Sequence, residues 1–319
     1  MTNENIKITE AGIYDIPDHV YHADPCPEPS LSNSIAKKLI QTTPLHAWLA
    51  HPRLNKDCEA ENKTAWDIGR AGHALMLKEP TDFVIINDDA YRKKATKEQR
   101  DQAWAEHKTP LLTHQFDQIN EMVESGRRQM ANSEELHPFL AEDSQSEQTL
   151  IWQEDGLWFR SKADRISKDR MHIFDYKTTG GPAHAEKWSS ICFTNFFDMQ
   201  VKFYERFFQA MYNGLQPQFN FIVQEIEPPY LLTHIRLDGI ALEMAQKRVE
   251  HAIKIWRLCM EKNIWPGYPN KPVYISPPYG QSRSWLEAEG NENATMRSDM
   301  LRLMFEMQGT GGKEHDFKI

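Results

Sequence analysis

Two stretches decide the reading of this chain: FRSKADRI over 159–166 and IFDYKTT over 173–179. Each alternates apolar and polar residues, and the turn-forming run Ser167-Lys168-Asp169-Arg170 separates them. That pattern predicts two antiparallel strands, Leu157–Arg165 and Met171–Lys177. A third, Thr149–Gln153, precedes them across Glu154-Asp155-Gly156, which completes a β-meander. Asp164 falls at the end of one strand and Asp175 within the next. Adjacent antiparallel strands can bring two such carboxylates to one place. Side chains two apart on a strand share a face, so Ile173, Asp175 and Lys177 point one way and Phe174 and Tyr176 the other.

Helical patterns surround the meander. Ser32-Asn33-Ser34 caps a helix that ends near Pro44. Ala65–Lys78, residues 92–108, Leu112–Met130, Phe196–Asn213 and Leu242–Lys262 read as further helices. Phe219–Gln224 and Tyr230–Leu237 read as strands, and Ala294–Met307 as a late helix. Helices, meander, helix, strands and helix in that order give an α/β fold, a central mixed sheet flanked by helices. Residues 1–30, with four prolines, form an irregular N-terminal arm with one short strand. The main domain covers 31–265, and 266–319 is a C-terminal extension rich in Pro, Gly and polar residues.

Composition narrows the class. The 319 residues carry 37 basic and 46 acidic side chains, a net charge of −9, with 40% hydrophobic and 26% charged residues. Nine Trp and 15 Phe exclude a disordered chain, and the pattern excludes a collagen-like fibre or a coiled coil. An apolar run of about 18 residues, as a membrane span requires, does not occur. The polar start Met1-Thr2-Asn3-Glu4-Asn5 lacks a signal pattern, so a cytoplasmic location is expected. Cys26, Cys58, Cys192 and Cys259 are too scattered for a zinc ribbon and read as reduced thiols.

Two carboxylates and an ammonium on one sheet face have a specific chemical use. Carboxylate oxygens are ligands for Mg²⁺, which keeps several waters and accepts phosphate oxygens. A bound metal activates water and stabilises charge on an attacked phosphate, and a lysine can orient that water. This is the layout of a phosphodiesterase; a plain hairpin salt bridge between Asp175 and Lys177 is the structural alternative. Glu147, at the start of the meander, is a further candidate ligand or a partner of Arg160 or Lys162. Basic residues fit a DNA path locally. Residues 151–187 hold seven Lys/Arg against six acids, and Arg160 and Lys162 on the Asp164 strand are candidate phosphate contacts.

The order of these motifs resembles the PD-(D/E)XK nuclease superfamily, in its RecB-like branch. The "ADRI…DYKTT" form around Asp164, Asp175 and Lys177 is typical of that branch. Gly69-Arg70-Ala71-Gly72-His73 is similar to its upstream histidine helix, Gln200…Tyr204 to its Gln-xxx-Tyr motif, and SLSNSIAKKLIQTTPLHAW (30–48) to its N-terminal helix. The likeness spans roughly residues 10–265 and is greatest to the exodeoxyribonuclease VIII (RecE-like) exonucleases of phages and prophages.

The resemblance implies metal ligation by His73, Asp164, Asp175 and the carbonyl of Tyr176. It implies that Lys177 serves the attacking water and that Gln200 and Tyr204 contact DNA. It further implies Mg²⁺, with Mn²⁺ as a substitute, in a 5′-to-3′ exonuclease of linear double-stranded DNA that leaves 3′ tails for recombination. A ring-like homotetramer and a single-strand annealing partner follow from the same likeness. The iron–sulfur nucleases of the branch cluster three downstream cysteines; that cluster is missing here, so no iron–sulfur site is expected. Two rivals remain: a catalytically silent nuclease fold that binds DNA or acts as a scaffold, and a restriction-type endonuclease.

Overall fold

The computed structural model describes residues 6–55, 64–79, 82–106 and 108–289. The expected helix at Ala294–Met307 and Cys58 lie outside them. Two compact units divide at residue 267. In the second, the described residues hold one helix, Tyr279–Glu289.

The meander forms the centre of the first unit. Strands β5 (Gln145–Glu154), β6 (Leu157–Ile166) and β7 (His172–Thr179) pair antiparallel in sequence order. Strand β8 (Gln218–Glu225) lies parallel to β7, and β9 (Leu232–Ile235) closes that side antiparallel. Parallel neighbours need a crossover, and helices α8 (Ala185–Thr194) and α9 (Asp198–Met211) supply it. From the N-terminal residues, β1 (Gly12–Tyr14) pairs with β5, and β2 (Leu31–Ser32) with β6. Among the described residues the sheet has seven strands, and it is mixed, as the sequence predicts. A separate parallel pair, β3 (Phe83–Ile86) with β4 (Thr109–Leu112), was not expected; each strand has four residues, too few to reveal a period.

Alternation along β7 and β8 sorts the core into two layers. Ile173, Phe219, Phe221 and Val223 join a cluster with α2 (Asn33–Gln41), α3 (Pro44–Leu49), α8, α9 and α10 (Gly239–Lys262). Phe174, Tyr176 and Ile222 join the opposite cluster with α4 (Thr64–Leu77) and α6 (Thr113–Ala131). Around that second layer also lie α5 (Lys94–Ala105), beside the β3–β4 pair, a 3-10 turn at Glu134–Leu136 and the single turn α7 (His137–Leu140). In α6, Gly126 permits close approach to the sheet, because a Cβ there would lie 2.5 Å from Oε1 of Gln224. Among the described residues no helix is long and apolar enough to cross a membrane.

The N-terminal residues are tied to the sheet by a buried polar knot. Helix α1 (Asp18–His22) leads into Asp24, whose carboxylate accepts from Ser30 N and Oγ at 2.9 and 2.7 Å. It also lies 3.2 Å from the Arg160 guanidinium and 3.4 Å from Nε2 of His51. Arg160 is only 3% exposed. Burial, then the Arg160 charge, pushes His51 down to about 4. Its folded value lies below the unfolded value of about 6.5. The stability carried by the neutral imidazole is therefore complete above pH 6.5 and is lost as pH falls toward 4, amounting to up to about 3 kcal/mol. Urea midpoints at pH 7 and pH 5 should differ less in His51→Gln than in the wild type; an equal difference would discount this residue.

Candidate metal centre

The carboxylates meet where β6 and β7 part. The ladder pairs Ile166 with Ile173 and Arg165 with Phe174, then stops. Beyond that point the Asp164 side chain replaces a strand bond: its Oδ2 accepts the Tyr176 N–H at 2.8 Å. The next residue pair across the fork is Asp164 and Asp175. On the far side of Asp164, β5 carries Glu147 with φ +52°, a left-handed conformation rarely adopted by a non-glycine residue. Such strain costs on the order of 1–3 kcal/mol and concentrates at functional sites.

Helix α4 delivers His73 from the Phe174/Tyr176 side of the sheet. Its Nε2 is 3.0 Å from Asp164 Oδ2, and its Nδ1 is 3.5 Å from Glu147 Oε1 and 3.6 Å from Glu79 Oε1. Glu79 reaches the site because Lys78, at φ +59°, ends α4 in a left-handed turn and Glu79 N bonds back to the Ala74 carbonyl at 2.9 Å. Glu79 was not foreseen; its only signal is its place just past a helix end, six residues after His73.

The opposite layer supplies the other half. Asp175 is 1% exposed, and its Oδ2 lies 2.5 Å from Lys177 Nζ. Gln200, from α9, donates to Asp175 Oδ1, and its amide is 3.1 Å from the Tyr204 hydroxyl. Tyr204 donates in turn to the Lys162 carbonyl at 2.5 Å.

Of the four side chains expected to contact DNA, Gln200, Tyr204 and Arg160 are buried. Gln200 and Tyr204 are 7% and 3% exposed and spend their polar atoms on Asp175 and the β6 backbone. They hold the carboxylate from behind. Arg160 is buried against Asp24 and Ser30. Lys162 does line the groove described below, but it is committed to Glu147 at 2.5 Å and to Asp18.

The electrostatics are those of a candidate cation site. Burial pushes Asp175 up to about 6, with Lys177 opposing and Asp164 adding. Burial and then Asp164 push Glu147 up to about 7. Burial works against the His73 imidazolium, yet Asp164 and its neighbours hold the imidazole well above its ordinary value. Burial likewise opposes ionised Asp164, and His73 more than offsets it. Negative charge is thus crowded and only partly compensated, which an added divalent cation relieves. His73, Glu79 and Glu147 each offer a ligand atom within 4.8 Å of the others. Glu79 Oε1 is buried without a hydrogen-bond partner. Carboxylates with one imidazole fit Mg²⁺ or Mn²⁺. A groove of about 880 Å³ opens beside the cluster, lined in part by Asp15, Asp18, Glu79, Glu147, Lys162 and Arg165.

Comparison with known proteins agrees with the fold. The family described as PDDEXK-like domain of unknown function (DUF3799) matches residues 32–277. No curated protein matches the chain in sequence. Among solved structures, a candidate exonuclease from Eubacterium rectale superimposes with a TM-score of 0.57 at 13% identity, over 83% of this chain and 97% of that one; it shows a shared fold. SSO0001 (TM-score 0.24, 13% identity, 66% and 100% coverage) and VC1899 from Vibrio cholerae (0.19, 11%, 73% and 57%) are too distant to carry an argument.

Proposed function

The chain belongs to the PDDEXK-like family DUF3799, and on that premise we propose that it is a Mg²⁺-dependent exodeoxyribonuclease. Its substrate is linear double-stranded DNA, degraded 5′ to 3′ to leave 3′ tails for recombination. The observation that carries the hydrolytic part is the convergence of Asp164, Asp175 and Lys177 at the β6–β7 fork, with His73 arriving from the opposite layer. A catalytically silent member of the fold has no need to keep all four.

The residues divide the work. Asp164, Asp175 and His73 would hold the cation, with Glu147 and Glu79 beside them and the Tyr176 carbonyl as a further candidate ligand. When bound, the metal lowers the pKa of water and offsets charge on the attacked phosphate. Lys177, whose ammonium is stabilised by Asp175 and Asp164 against the cost of burial, orients the attacking water and neutralises developing charge. Gln200 fixes the Asp175 carboxylate, so the geometry is set before substrate arrives.

End preference, polarity, a ring-like homotetramer and an annealing partner are supported by the resemblance to exodeoxyribonuclease VIII-like enzymes. A linear duplex labelled at either the 5′ or the 3′ end tests the core of the proposal. Early release of the 5′ label in Mg²⁺ is expected. Early 3′ release reverses the polarity, cutting of closed circles makes it a restriction-type endonuclease, and inertness in Mg²⁺ and Mn²⁺ makes it a silent fold.

A further inference from the structure

We propose that Lys37 is a second DNA-contacting lysine of this centre, holding a phosphate oxygen beside the scissile group that Lys177 serves. The inference rests on the nuclease reading above. Lys37 projects from α2, whose buried residues Ile35, Ala36 and Leu39 fix the helix against the sheet. Its Nζ lies 4.9 Å from the centroid of the Phe197 ring, and Nζ of Lys177 lies 5.5 Å from the same centroid. Two ammonium groups from separate elements therefore address one aromatic plate. The plate is itself fixed: Phe197 stacks on buried Trp188 at 5.7 Å with an interplanar angle of 18°.

The two lysines differ in partnership. Lys177 has Asp175 at 2.5 Å. Lys37 makes no carboxylate ion pair among the described residues. The nearby Asp198 carboxylate is already taken at both oxygens by Arg248, each at 2.8 Å. Burial and then the Lys177 charge disfavour the Lys37 ammonium in the DNA-free protein, and the more distant Asp175 and Asp198 charges offset this only in part. A half-buried cation beside a like charge is poorly compensated until an anion arrives. A nucleic-acid strand supplies one at every nucleotide. The aromatic contact alone does not neutralise the charge.

Duplex binding read by fluorescence anisotropy tests this, with Ca²⁺ in place of Mg²⁺ to spare the DNA, across a range of salt. Lys37→Gln should bind roughly tenfold more weakly near 0.1 M salt, and its slope of log K against log salt should be shallower by about 0.9, the signature of one lost phosphate contact. Lys37→Arg should restore both, and melting temperatures should match. Duplexes with and without terminal phosphates distinguish the source of the oxygen. Equal losses assign an internal phosphodiester, and a loss confined to phosphorylated ends assigns a terminal monoester. If the wild type binds DNA and Lys37→Gln keeps its affinity and slope, the lysine only packs on Phe197 and the proposal falls alone. If the wild type itself fails to bind DNA, the nuclease reading falls with it.

Discussion

Asp175→Asn and Lys177→Met are each expected to reduce cleavage of linear duplex by about a thousandfold, the scale of losing one preorganised charge at a reacting centre, while leaving the fold intact. Both halves follow from the geometry. Asn keeps the size of Asp175 and still accepts the Gln200 amide. It withdraws one of the charges proposed to hold the cation, the carboxylate paired with Lys177. The orphaned Lys177 retains 25% side-chain exposure, so water can solvate it. In Lys177→Met, Asp175 is already pushed up to about 6, and without its ammonium partner it takes up a proton near neutrality instead of staying buried as an anion. Initial rates of label release and urea unfolding curves measure the two halves. Wild-type cleavage by either variant would remove the proposed roles.

Asp164→Ala should fail in a different way, losing cleavage and also about 2 kcal/mol of stability. The Asp164 carboxylate is part of the sheet as well as the site. It accepts the Tyr176 N–H where the β6–β7 ladder has ended, and a buried amide left without an acceptor costs about 1–3 kcal/mol. The His73 ring loses its 3.0 Å partner too. Relief of repulsion with Asp175 and Glu147 offsets only part of this. Asp164→Asn still offers an oxygen to Tyr176 and should recover most of the stability but none of the cleavage. Equal unfolding midpoints for Asp164→Ala and the wild type would show that the fork does not depend on this side chain.

The different fates of Asp164 and Asp175 indicate what the sequence could convey. Period-two alternation placed Asp175 and Lys177 on one face and Phe174 and Tyr176 on the other, and the two core layers follow that division. A turn between complementary strands brought Asp164 near Asp175. Local pattern could not convey where a polar side chain on a helix spends its hydrogen bonds. Gln200 and Tyr204 share a face, but which way it points depends on the packing of α9 against β5 and β6. Arg160 reads as a candidate phosphate contact because its partner, Asp24, is remote in the chain and held in a left-handed turn at φ 62°. Glu79 enters through the chain reversal at Lys78, and Lys37 through the way α2 lies beside α9. Each is a product of tertiary assembly.

The buried knot around Asp24 has a practical meaning for anyone who shortens this protein. A version beginning at Leu31 discards Asp24 and Ser30, and strands the Arg160 guanidinium inside the protein with no counter-charge, a loss worth about 3–5 kcal/mol. It also discards Asp18, one of the two acids that restrain Lys162 at the mouth of the groove. What reads in the sequence as an irregular arm is thus a keystone: pulled out, it loosens the β6 strand on which Asp164 stands.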